Sequence, residues 1–260
     1  MEQVLPLQNT SIVVTRPAHQ NHAICQQLSA LGATPIPFPC IEIDANPYVD
    51  LDKTKAQLAA CQILIFISSN SVEQAFRLFP ALNETLPHDC IVCAVGSATA
   101  NTLHTHGIQQ VLVPSKESSS EELLKLPSLQ DVKHKLILIM KGVGGRELIY
   151  DTLVARDAEV YNVETYQRNL PKLVDITPLS NKIDLILFTS GETVSNFLAL
   201  TSDSLQESLL TCQTMVGHPR IAEKVTSLGF KKLPIIAATP SDADMLAAIQ
   251  QWILSNKPNI

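Results

Sequence analysis

No stretch of the 260 residues approaches the roughly 20 uninterrupted apolar residues that a bilayer core demands. The greasiest runs, such as Ile63-Leu-Ile-Phe-Ile67, stop after a handful, so a membrane span is excluded. Met1-Glu-Gln-Val-Leu-Pro6 has neither a basic n-region nor an apolar h-region before Ser11, and no secretory signal is expected. Basic charge is scarce as well. Nineteen Lys and Arg stand against 25 Asp and Glu, for a formal charge of −6, and no basic stripe is present that would neutralise a phosphate backbone. Nucleic acid is therefore not an expected partner, and an anionic ligand has to be held locally.

Metal and nucleotide signatures are missing too. The seven histidines show no H-x-x-x-H or H-E-x-x-H pattern, and His104 and His106 lie two apart on an expected helix, hence on different faces. Of the six cysteines, Cys90 and Cys93 form a C-x-x-C, but the segment from Cys90 to Val95 reads as a strand that points the two thiols to opposite faces. A second ligand pair at zinc spacing is lacking. Cys25, Cys40, Cys61 and Cys212 sit in apolar or helical runs, where a reduced thiol acts as a small hydrophobe, so a cytoplasmic address is expected. Lys141-Gly142-Val143-Gly144-Gly145-Arg146 lacks the G-x-x-x-x-G-K-[ST] frame, and Glu147 at the sixth position from Gly142 breaks G-x-G-x-x-G. No G-x-S-x-G elbow is present. Neither metal nor any other cofactor is expected.

What is present is a globular composition, 45% apolar and 17% charged, arranged as β-branched runs alternating with amphipathic helical stretches. That is the rhythm of parallel sheets with helices on their faces. Strands are expected at Ile12–Val14, Ile63–Ile67, Ile91–Val95, Leu136–Ile139, Leu185–Phe188, Thr214–Val216 and Ile235–Ala238. Their continuous apolar character suits strands covered on both sides.

The chain also repeats itself. One strand ends in Ser68-Ser69-Asn70-Ser71, and 28 residues after Ser68 comes Gly96 at the head of a helix. Another ends in Thr189-Ser190-Gly191, and 28 residues after Thr189 comes Gly217. Val13–Pro17, with a helix and an extended stretch behind it, likewise parallels Ile139–Gly142 with a helix and extended stretch of its own. The order is A, B, A′, B′, and each A unit ends in an extended stretch longer than a loop needs. If those stretches cross between domains, A joins B′ and B joins A′. Residues 1–35 with 169–260 then form one α/β domain, 44–158 the other, and 36–43 and 159–168 are linker strands. The alternative is one large sheet made of two consecutive halves.

Loops at the carboxyl ends of these strands are where open α/β sheets hold ligands. Thr15 and Arg16, Ser68 to Asn70, Ser97, Lys141 to Arg146 with Gly144, Thr189 to Gly191, and His218 with Arg220 all stand there. Most lead into helix N-termini, whose free amides favour anions. Taken singly, each is more readily an ordinary helix cap, and only their repetition in both halves raises the functional reading.

Over nearly its whole length the chain resembles the uroporphyrinogen-III synthases. The resemblance is carried by Val14-Thr-Arg-Pro17, Phe66-Ile-Ser-Ser-Asn-Ser-Val72, Ala94-Val-Gly-Ser-Ala-Thr-Ala100, Lys141-Gly142 with Gly144-Gly-Arg-Glu147, Val163-Glu-Thr-Tyr-Gln-Arg168, Leu187-Phe-Thr-Ser190 and Gly217-His-Pro-Arg-Ile-Ala222. It implies two flavodoxin-like parallel-sheet domains joined by a two-stranded antiparallel β-ladder, with substrate in the cleft between them and no cofactor. The implied substrate is hydroxymethylbilane, a linear tetrapyrrole with eight carboxylates, handed over from hydroxymethylbilane synthase and cyclised by a monomer. Closure without ring inversion is spontaneous, so the expected task is to fold the chain correctly. Orientation contributes roughly 7–11 kcal/mol in favourable cases.

Arg16, Lys141, Arg146 and Arg220 are the candidate charge partners for the carboxylates, and the resemblance points to Tyr166 as the group that protonates or hydrogen-bonds the leaving hydroxyl. An aromatic packed at a domain junction is the other reading of Tyr166. The sequence has Ser68 where many relatives carry Thr, and Lys141 where many carry Arg. A non-catalytic tetrapyrrole- or anion-binding protein is the alternative function.

Overall fold

The run Ile63-Leu-Ile-Phe66 is buried at all four positions, as a strand with helices over both faces has to be. In a computed structural model, which describes residues 5–115 and 119–256, such runs build two sheets in two compact units, Met1–Glu42 with Asn169–Ile260 and Ile43–Arg168.

The first unit begins with β1 (Ser11–Val14), α1 (Ala18–Ala30) and β2 (Thr34–Pro37). The chain then forms β3 (Glu42–Ala45), α2 (Leu51–Leu58), β4 (Ile63–Phe66), α3 (Ser69–Leu78), the short α4 (Leu82–Thr85), β5 (Ile91–Ala94), α5 (Ser97–Thr105), β6 (Val111–Leu112), α6 (Ser120–Leu123), β7 (Leu136–Gly142), α7 (Leu148–Ala155) and β8 (Glu159–Asn169). It returns to the first unit through β9 (Leu185–Phe188), α8 (Gly191–Leu200), α9 (Asp203–Leu209), β10 (Gln213–Val216), α10 (Pro219–Ser227), β11 (Ile235–Ile236) and α11 (Asp242–Asn256).

The first sheet runs β2-β1-β9-β10-β11 with every pairing parallel. Counted in chain order within its unit that is 2-1-3-4-5, the flavodoxin-like order. The second runs β3-β8-β7-β4-β5-β6, and its pairings from β8 to β6 are parallel. Without β3 it is the same order, with the two-stranded half placed after the three-stranded half. The repeat read from the sequence is thus carried out in the strand order of each sheet.

Alternate strand residues feed two cores, one per sheet face. Val13, Ile186, Phe188 and Val216 join one cluster, with Phe38, Phe197 and Phe230 packed edge-on at centroid distances of 5.4–5.7 Å. Ile12, Val14, Leu185, Leu187 and Met215 join the other. In the second unit Leu64, Phe66, Leu138 and Met140 face one cluster, and Ile63, Ile65, Ile137 and Ile139 the opposite one.

Of the stretches 36–43 and 159–168, expected as linker strands paired with each other, the first ends β2 and begins β3, and the second is β8, which lies between β3 and β7. Ile36 and Pro37 end β2, an edge strand, where Pro35 and Pro37 remove no ladder bond that a neighbour needs. β8 pairs in parallel with β7 from Leu136↔Glu159 to Gly142↔Tyr166, with an irregularity at Lys141/Gly142, and has β3 on its other side. Its Val160 and Val163 bury into the two opposite cores, and that burial draws the strand into the sheet.

Cys90 and Cys93 face different cores, as the strand pattern requires. The sulfur beside Cys90 is that of Cys61, 3.6 Å away. Among the described residues no helix is long and apolar enough to cross a membrane.

Candidate functional site

Strand order reverses between β1 and β9 in one sheet and between β7 and β4 in the other, and the loops at these two places carry most of the residues singled out above. In the second unit Ser68 caps α3. Its hydroxyl accepts from Ser71 N–H at 3.2 Å while the Ser71 hydroxyl accepts from Ser68 N–H at 3.1 Å. The Ser68 oxygen also lies 3.1 Å from the phenol oxygen of Tyr166.

Tyr166 is 2% exposed, and its ring lies flat against Gly142. A Cβ built on Gly142 would stand 2.6 Å from the ring, so only glycine fits there. Arg168 Nη2 donates to the Tyr166 oxygen at 3.3 Å, and its guanidinium sits 5.7 Å from the ring centroid. The Ser68 and Arg168 contacts together fix the direction of the phenol oxygen on the pocket wall.

Lys141 is the one lysine or arginine buried among the described residues, its side chain 7% exposed. Its ammonium is ion-paired with Oε1 of Glu147, and the other Glu147 oxygen accepts from Asn162 Nδ2 at 2.8 Å. The hydrogen bond from Lys141 is the main cause that holds the Glu147 carboxyl below its ordinary range; desolvation opposes it, and Asn162 adds to the lowering. The turn between β7 and α7 passes through Gly144 and Gly145 at positive φ, a conformation other residues rarely adopt. Gly144 N–H donates to Glu164 at 3.1 Å, and Arg146 pairs with Glu121 at 3.3 Å. Ser68, Lys141, Glu147, Asn162, Tyr166 and Arg168 line one pocket of about 300 Å³, which Gly144 and Arg146 also border.

The first unit holds a wider hollow of about 690 Å³, lined by Thr189, Ser190, Gly191, His218, Arg220 and Lys224. Ser190 caps α8 through the same reciprocal pair, here with Thr193. His218 caps α10, its Nδ1 accepting from Arg220 N–H at 3.1 Å. Arg220 has no side-chain partner among the described residues. Two helix N-termini beside two cations suit carboxylates.

The structure places the other candidates apart from these two hollows. Thr15 is fully buried, and its hydroxyl donates to the Leu187 carbonyl at 2.7 Å, tying β1 to β9 instead of facing a ligand. Arg16 is already engaged by Asp242 and, at 2.6 Å, by the Pro240 carbonyl. Ser69 and Asn70 in the first turn of α3 and the exposed Ser97 lie outside both pockets. Sequence reasoning misses Glu147, Asn162, Arg168 and Lys224 as pocket residues. Lys224, four residues after Arg220 on one helix, was open to discovery by spacing. Glu147 and Asn162 meet Lys141 only through a turn and a neighbouring strand.

A family model described as "Uroporphyrinogen-III synthase HemD" matches residues 22–247. The uroporphyrinogen-III synthase of Escherichia coli (strain K12) is 34% identical over 248 residues, which cover 92% of this chain and 100% of that one. Its counterpart in Salmonella typhimurium is 32% identical over 247 residues, with the same coverage. Among solved structures, the uroporphyrinogen-III synthetase of Helicobacter pylori 26695 aligns with a TM-score of 0.63 at 18% identity, over 95% of this chain and 100% of that one. A mutant uroporphyrinogen III synthase from Thermus thermophilus gives 0.57 at 17% identity, with the same coverage. At such identities the structural matches speak for the shared α/β fold.

Proposed function

Because the chain belongs to the uroporphyrinogen-III synthase family, and so to tetrapyrrole synthesis, we propose that it is a cyclising hydro-lyase that converts hydroxymethylbilane to uroporphyrinogen III without a cofactor. The C–O bond of the terminal hydroxymethyl group breaks as its oxygen takes up a proton and leaves as water. The substituted carbon of the last pyrrole attacks the resulting azafulvene to give a spiro intermediate, which fragments and recombines with that ring inverted. The proton released on rearomatisation balances the one taken up.

The observation that carries this reading is the Tyr166 phenol, held by Ser68 at 3.1 Å and Arg168 at 3.3 Å on the wall of a cationic pocket. In this reading the phenol is the group that gives its proton to the leaving oxygen. Lys141, Arg146 and Arg168 in one unit and His218, Arg220 and Lys224 in the other suit the substrate's carboxylates. Oriented amides and hydroxyls at the helix starts stabilise charge as it develops. The enzyme acts in this reading as a cytoplasmic monomer supplied by hydroxymethylbilane synthase.

Purified protein given freshly generated hydroxymethylbilane should yield mainly the type III isomer with no metal or nucleotide added, as read by chromatography of the oxidised porphyrins. Type I alone would reduce the protein to a binding protein or an inactive relative.

A further inference from the structure

A buried ammonium needs a counter-charge, and the one Lys141 has is its own chain's. The two partners differ in environment: the Lys141 side chain is 7% exposed and that of Glu147 is 43% exposed. Glu147 stands just before α7 without capping it. The glycines two and three residues upstream have positive φ, and a Cβ on either would meet nothing within 4 Å. The carboxylate therefore occupies the open side of a closed cation site, and Asn162 steadies its second oxygen. The same pocket carries Ser68, Tyr166 and Arg168.

We propose that Glu147 is a built-in stand-in for a substrate carboxylate. It neutralises Lys141 while the pocket is empty, and it yields the ammonium to a carboxylate of the linear tetrapyrrole on binding. This rests on the functional reading above and deepens it, by making Glu147 the residue that sets how tightly this site holds an acidic side chain. Exchange of one carboxylate for another leaves the charge of the closed site unchanged, while the displaced Glu147 moves toward water from a position already half exposed. The desolvation of Lys141, the costly part of such a site, is met in folding and not in binding. Affinity is lowered in return by the internal rival.

The test is the affinity of the intact protein and its variants for uroporphyrin III, the stable oxidised product, by porphyrin fluorescence anisotropy, with KM for hydroxymethylbilane measured alongside. Glu147→Gln should tighten binding and lower KM roughly fivefold, the factor that corresponds to loss of a rival worth about 1 kcal/mol. Glu147→Asp keeps the charge but shortens the reach to Lys141, so it should shift both quantities in the same direction by a smaller factor. Wild-type affinity in Glu147→Asp would reduce the effect to general charge repulsion and overturn the proposal. Weaker binding in either folded variant would make Glu147 a structural brace, which also overturns it. A wild-type protein that makes only type I would sink the functional reading alone, because the stand-in is judged on binding.

Discussion

At the scale of single residues, the Tyr166 hydroxyl has two neighbours, and neither is a base. Ser68 and Arg168 fix its direction and leave its proton to be given away. Tyr166→Phe should lower kcat on hydroxymethylbilane by roughly 10²-fold, the lower end of what a positioned general acid supplies. It should cost about 1 kcal/mol of stability for the lost hydrogen bonds. Unchanged turnover in a folded variant would remove the phenol from the reaction. The sequence points to Tyr166 through a family motif, and to Lys141 as a carboxylate partner through its glycine turn. It cannot show that Lys141 is already satisfied, because the six residues to Glu147 match no helical or strand spacing. The loss of Thr15 and Arg16 from the site has the same origin. Their partners, Leu187 and Asp242, lie 172 and 226 residues further along, and only the closed sheet brings them near. The nearness of Cys61 to Cys90 was hidden in the same way behind the more visible C-x-x-C.

At the scale of elements, the repeated serines at the starts of α3 and α8 are legible as caps, and the structure gives each of them a reciprocal pair, Ser68 with Ser71 and Ser190 with Thr193. Ser190→Ala removes one orphan-amide acceptor and leaves the loop intact, so urea unfolding should show a loss of about 1 kcal/mol. A midpoint equal to that of the wild type would show that α8 does not depend on its cap. The central strands were readable because burial on both faces forces unbroken apolar runs. The edges were less so: β11 falls within the strand expected at Ile235–Ala238, but β6, with two paired residues, is too short for a pattern. β8 mixes buried residues on both faces, Val160, Val163, Thr165 and Tyr166, with partly open ones, and so irregular a pattern reads equally well as a connector.

At the scale of the molecule, every core cluster is drawn from one unit alone. The clusters around Phe66 and around Ile65 use residues from Leu58 to Val163, whereas those around Phe188 and Leu187 use both ends of the chain. A segment spanning residues 42–169 should therefore fold by itself, as a domain with its own core does, and show a cooperative thermal transition by circular dichroism. A molten, non-cooperative product would mean that its core is incomplete. The A, B, A′, B′ order is the one sequence signal for an interleaved chain, while nothing in the sequence signals the pairing of β8 with β7.

The hydrogen bond from Thr15 to Leu187 spans 172 positions, and that distance has a consequence during synthesis. On a ribosome adding about 5–20 residues per second, β1 leaves the exit tunnel roughly 10–30 s before the strand it must lie beside exists. The later-made central unit can close first. β1 can meanwhile pair with β2 on one edge, while its other edge stays open until β9 emerges.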